Sequence, residues 1–334
     1  MPRMPPLLGR SRRRAGQLAD PALDDVELAE VRTQLAQGRW ASVSSLLTAT
    51  ADDWDRRGHR LVVLAEGSGS AAWAEDWLLA EPDSADAAAL LACAKVLRSL
   101  HGKDGRGGRT DKVGRAGRAA KDEEDAAREA CRAAARLAPS DPTPWLGLLI
   151  LARSRGTEEE VSRLFDEVRS RHPEHHHAHH LMAARLAERH PGAGQDPLHE
   201  VYDFAAWAAE QAPADSPLAV LPVVAHAERY RVLAVAGSEP DDPARSAHWT
   251  GRRARQVMKA AFDWWLEWER EDHPRNRVDL NFLAHAKFCE GRPAEAAALF
   301  HRIGEHFTPA PWAYPDRDPY QAFSAARGAA LGSV

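Results

Sequence analysis

PSDPTPWLGLLILARSRGTEEEVSRLFDEVRSRHP, residues 139–173, begins and ends on a proline and carries two apolar stripes of helical period. Pro142 and Pro144 suit the first turn of a helix, where a missing N–H costs nothing. Trp145, Leu148, Leu149 and Ala152 recur at three- and four-residue spacing, so they share one helix face. Gly156 turns the chain, and Val161, Phe165 and Val168 form the second stripe. Pro139 and Pro173 stand 34 residues apart, the period of a stacked helix-turn-helix array.

The same phasing extends in both directions. Six residues beyond Pro82, Pro139, Pro173, Pro213 and Pro274 stand Ala88, Trp145, His179, Ala219 and Leu280. Toward the N-terminus, Asp24 or Asp25 caps a helix through Leu28, Val31 and Leu35, and Trp40, Val43, Leu46 and Leu47 form its partner after Gly38. A second pair covers 56–80, with Trp73 and Trp77 at i, i+4. A third begins at Ser84, breaks at 102–121 and resumes as a helix over 122–137. Toward the C-terminus, a fifth pair starts at Glu174 and turns at Pro191–Gly194. A sixth covers 216–235 and 245–271, and a seventh 277–306. The expected fold is all-α: a right-handed solenoid of about seven antiparallel hairpins over 23–306, with a disordered basic arm at 1–22 and a Pro- and aromatic-bearing tail at 307–334.

Two of these hairpins resemble tetratricopeptide repeats. The fourth shows Trp145, Leu148, Leu149, Ala152, Gly156, Val161, Phe165 and Pro173. The seventh shows Leu280, Leu283, Ala284, Lys287, Gly291, Ala296 and Phe300, with Pro309 one residue late. The bulk of Leu149, where the pattern has a small residue, implies helices pushed apart. In the family the first helix of each pair lines a concave groove. The resemblance places Leu146, Ile150 and Arg153 there from hairpin four, and His177, His180, Ala184 and Glu188 from hairpin five. Hairpin six contributes Val220, Val224 and Glu228, and hairpin seven Asn281, His285 and Cys289. The Lys, Arg and Asn cluster that grips a peptide carboxylate in some members is absent. The function this implies is a non-enzymatic scaffold that binds a peptide or helix of another protein in its groove or at its aromatic end.

Composition narrows the alternatives. A formal charge of −5 over 334 residues exerts no general pull toward nucleic acid or anionic lipid. Cys93, Cys131 and Cys289 are widely spaced with no CxxC, so core packing and a reducing cytoplasm are expected. No apolar run approaches the ~20 residues that span a bilayer, and no apolar segment follows the N-terminal arginines as in a secretory signal.

Three local features carry chemistry. His172, His175, His176, His177, His179 and His180 form a run in which His175/His179 and His176/His180 pair at i, i+4. That spacing suits two imidazoles on a Zn, Cu or Ni ion, so His175, His176, His179 and His180 are the candidate ligands of a metal protein or metalloenzyme. A third ligand is needed, and a solvated histidine-rich turn is the plainer reading; no resident cofactor is expected. The insertion 102–121 carries seven basic against two acidic residues, a net +5. It suits a nucleic-acid accessory or, more plainly, a solvated linker. Trp264, Trp265 and Trp268 crowd one helix, and the tail, expected to be extended, is expected to cover them. No GxSxG elbow or other nucleophile motif is present.

Overall fold

The computed structural model describes residues 19–101, 113–189, 199–268 and 272–332. They form sixteen α-helices and three short 3-10 turns, and no strand occurs among the described residues. Residues 1–18, 102–112 and the turn at Pro191–Gly194 lie outside them. So do most of the expected arm and the Gly-rich part of the insertion. The chain divides into two compact units, Asp25–Met182, and Ala183–Val334 with the segment ending at Asp24.

The first unit contains α1 (Val26–Leu35), α2 (Trp40–Thr50), α3 (Trp54–Ala65), α4 (Ser70–Ala80), α5 (Ala85–His101), α6 (Val113–Leu137), α7 (Thr143–Arg155) and α8 (Glu158–Arg169). Helix α9 (His176–Ala187) contains the residue at which the two units are divided. Sequence neighbours pair α1 on α2, α5 on α6 and α7 on α8. The expected second hairpin is different: α3 and α4 each pack more extensively on α5 than on one another.

Helix α6 begins at Val113, nine residues before the expected start. Ala, Arg, Glu and Lys dominate 118–137 and are strong helix formers, which outweigh Gly114 and Gly117 at about 1 kcal/mol each. Helix α7 is buried on more than its expected stripe: Leu146 and Leu151 are as enclosed as Leu148 and Leu149. The close approach that Leu149 cannot offer comes from Gly147. A methyl group there would meet Cys131 Sγ of α6 at 3.3 Å and Val96 of α5 at 3.8 Å.

Helix α3 is the polar hub of this unit. Arg57 Nε donates to Asp141 at 2.7 Å and its Nη2 to Asp86 at 2.6 Å. Asp141 also accepts from the amide of Thr143, the first residue of α7, at 2.7 Å. Arg60 bonds Asp25, the N-cap of α1, at 2.8 Å, and Thr50 of α2, also at 2.8 Å. Two buried guanidinium groups therefore fix four helix ends or turns.

The second unit contains α10 (Glu200–Gln211), α11 (Leu221–Val235), α12 (Arg252–Trp268), α13 (Asn276–Cys289), α14 (Pro293–Ile303), α15 (Pro309–Trp312) and α16 (Pro319–Gly332). Here α10 packs on α11, α11 on α12 and α13, and α13 on α14. The C-terminal tail is helical rather than extended. Asp318 Oδ1 accepts from the Gln321 amide at 2.9 Å, and the alanine-rich stretch that follows sustains α16. Trp312 and Phe323 of this tail are buried against rings of α13 and α14, and Phe307 stacks on Phe323. Trp264 donates to the Ala214 carbonyl at 2.6 Å, and Trp265 packs between Phe262 and the Arg302 guanidinium. The Trp268 side chain lies outside the described residues.

Candidate binding clefts and the histidine run

Asp55, in the first turn of α3, organises the start of the histidine run. His172 Nε2 lies 3.0 Å from Asp55 Oδ2, and the His176 amide donates to Oδ1 at 2.9 Å. His175 Nδ1 stands 3.5 Å from the same oxygen. A carboxylate from another helix thus caps α9. Burial lowers the His172 pKa, but hydrogen bonding to Asp55 and its charge prevail and raise it. Gly58, one turn along α3, makes room for this: a methyl group there would stand 3.4 Å from His175 Nε2.

The four candidate metal ligands separate into two kinds. His176 and His180 lie side by side with ring centroids 4.1 Å apart, as their i, i+4 spacing requires. His175 and His179 do not present paired rings. His175 turns toward Asp55, while His179 Nδ1 reaches the His175 carbonyl at 2.9 Å and its ring meets the edge of Phe165. Burial pushes the His179 pKa down to about 4.

The groove positions expected from the first helices are largely taken up by the chain itself. Leu146, Val220, Val224, Asn281, His285 and Cys289 are buried, as are His180, Ala184 and Glu228. Ile150, Arg153, His177 and Glu188 are half-buried. In the second unit, the C-terminal segment is bonded to several of them. Asn281 Oδ1 accepts from Trp312 Nε1 at 2.7 Å and from the Thr308 amide at 3.3 Å. Glu228 accepts from the Tyr314 hydroxyl, and Arg231 bridges Glu228 at 2.8 Å and Glu188 at 2.7 Å. The indole of Trp312 also packs edge-on against His285.

Beneath this strap lies a buried cluster of rings. His226 and His248 stack at 3.8 Å, and each Nε2 reaches the other residue's carbonyl, at 3.0 and 2.9 Å. Trp249 sits edge-on to both and to His285. Burial lowers all three imidazoles: His226 well below the ordinary value, His248 to about 4 and His285 to about 3. The thiols of Cys93, Cys131 and Cys289 are pushed up by burial, the ordinary state of a packed cysteine.

Among the described residues, a cleft opens to the surface in each unit. One, of about 420 Å³, lies in the second unit between the turn after α14 and helix α16. Phe307, Tyr320, Phe323 and Leu331 give it apolar walls, with Glu305 and Arg327 at its margin. The other, of about 220 Å³, lies in the first unit between α6, α7 and α8, lined by Arg128, Arg132, Arg163, Glu160, Trp145, Leu148 and Leu164. Sequence reading placed Trp145 in a packing role and missed both clefts, because side-chain periodicity marks which faces are covered and not where neighbouring helices leave a gap. The exposed Tyr320 and the arginines at 128, 132 and 163 are visible in sequence, but nothing there joins them. The chain matches no known protein-family model and no curated protein.

Proposed function

We propose that the chain is a non-enzymatic interaction scaffold that seats an apolar side chain of another protein's peptide or helix in the cleft beside α16. The observation that carries this reading is the aromatic lining: Phe307 and Phe323 form its floor, and Tyr320 is exposed at its mouth. Aromatic walls give large contact area at low entropic cost and are favoured at protein interfaces. The chain's own behaviour supports the choice of occupant, since Trp312 seats on the neighbouring surface made by His285, Phe300 and Phe323. A tetratricopeptide-like, right-handed solenoid of about seven helix hairpins belongs to the same reading. So does a cytoplasmic setting, which the three free cysteines favour.

The test uses Ser324→Trp. Ser324 is exposed on the cleft wall, so a large side chain there fills the cleft without emptying the core. A partner purified on the wild-type chain at stoichiometric yield should bind the variant at least about tenfold more weakly, the effect of losing one well-seated anchor. A partner that binds both chains equally, or no stoichiometric partner at all, refutes the reading. A second reading, metal binding, rests on the His176–His180 pair. It requires zinc retained through dialysis by the wild type and released by His176→Asn.

A further inference from the structure

Building on that reading of the cleft beside α16, we propose that the chain's own N-terminal segment closes it. Leu7 and Leu8 seat among the aromatic walls, and a partner binds by displacing them.

The segment is rooted beside the cleft. Ala22 and Leu23 are buried, and Asp24 accepts from Arg277 Nε at 2.9 Å. The same guanidinium donates through Nη1 to the Arg302 carbonyl. Glu305, on the cleft margin, stands three residues beyond Arg302, a path of ~11 Å at most. Arg327, also of the lining, bonds the Gly304 carbonyl at 3.2 Å. Root and cleft thus meet at the turn after α14. Leu8 precedes Asp20 by twelve positions, and extended chain advances about 3.3–3.6 Å per residue. That reach, ~40 Å at most, exceeds what the path requires.

The segment has the chemistry that the cleft selects. Residues 1–10 read MPRMPPLLGR, with Pro2 and Pro5 at P-x-x-P spacing and Leu7 and Leu8 directly after Pro6. Prolines restrict the backbone before docking, so little entropy is lost on binding, and such segments suit aromatic-lined grooves. Phe307, Tyr320 and Phe323 supply that lining, and about 420 Å³ lies in the range that accepts a few side chains. No other stretch outside the described residues (102–112, 190–198, 269–271 and 333–334) contains two adjacent bulky apolar residues.

Charge favours the same occupant. Residues 1–18 carry five arginines and no acid, so a chain of net −5 has −10 on the remainder. At the cleft margin, Arg327 is engaged by the Gly304 carbonyl, while Glu305 is exposed with no ion-pair partner among the described residues. The unpaired charge facing the segment is therefore acidic. A tether of this length also gives the segment an effective concentration on the order of 1 mM, so even weak docking keeps most clefts closed.

The test places p-benzoylphenylalanine at position 8 of the full chain and irradiates it without partner. The expected product is a crosslink within one chain, of monomer mass, mapped by mass spectrometry to residues 305–331 and lost in Ser324→Trp. A crosslink between two chains makes the occupant a second copy. A crosslink mapped elsewhere, or none, leaves the cleft open; each of these results overturns the proposal. Leu7→Asp with Leu8→Asp, both outside the described residues, removes the tethered competitor without touching the cleft. A partner that binds there should then bind about three- to fivefold more tightly. Unchanged or weaker binding overturns the competition. The two readings fail separately. Loss of the crosslink alone removes the segment from the cleft, whereas undiminished partner binding by Ser324→Trp removes the partner and leaves the crosslink in place.

Discussion

Single polar residues on α3 join helix ends that the apolar stripes do not mark. Arg57 is buried between Asp141 and Asp86, and their charges overcome its desolvation and raise its pKa. Breaking one partner of such a cluster leaves uncompensated charge inside the protein. Arg57→Ala should therefore cost about 3–5 kcal/mol, measured by urea unfolding. Phe165→Ala should cost a similar ~3–5 kcal/mol, because the ring is buried beside His179 and its removal leaves a cavity. A loss below about 1 kcal/mol in either variant would show that the residue is not part of the unit's interior. The phenylalanine was legible in sequence, since it sits on a periodic apolar stripe. The arginine was not: a charged run such as Asp55-Arg56-Arg57 ordinarily marks a solvated face, and only the folded chain brings Asp86 and Asp141 to it.

At the scale of elements, helix pairing was readable where turns are short and glycine-marked, as between α1 and α2, α7 and α8, or α13 and α14. It failed where a helix is polar enough to look exposed but is buried, as for α3, and where prolines suggested extended chain, as in the tail. There, Pro309 and Pro319 open helices instead of preventing them. One polar attachment of the tail is Asn281, whose side-chain oxygen serves both the Thr308 amide and the Trp312 indole. Asn281→Ala removes that acceptor and strands two donors, at a cost of about 1–3 kcal/mol each. The expected result is faster amide exchange confined to 307–332 and a shift of Trp312 emission. Uniform acceleration across the second unit would mean that the strap is continuous with the core rather than clipped onto it.

Across the whole molecule the two units should respond differently to acid. The second unit encloses His226, His248 and His285 as neutral imidazoles, held so mainly by burial and secondarily by neighbouring guanidinium groups: Arg253 near His226, Arg229 near His248, and Arg317 near His285. Their folded pKa values lie below the unfolded value near 6.5. Unfolding therefore takes up protons as pH falls. The stability these groups contribute is complete above that value and is lost as pH drops toward their folded pKa values, about 4 for His248 and about 3 for His285. Three protons give a slope approaching ~4 kcal/mol per pH unit between the two limits. In the first unit His179, pushed down to about 4, behaves the same way. His172 has the opposite sign: its pKa is raised, so its contribution is full below the unfolded value and fades only as pH rises through the folded one. Asp25 of that unit has its pKa lowered by Arg60 and the Leu28 amide despite burial, and its contribution is lost only below the ordinary carboxylate range. Hydrogen exchange read by peptide from pH 7 to pH 4 should show the second unit losing protection first. His285→Leu should remove about a third of the slope, by removing one of the three protons. Loss of protection in the first unit at the higher pH would overturn the assignment of neutral, buried imidazoles to the second.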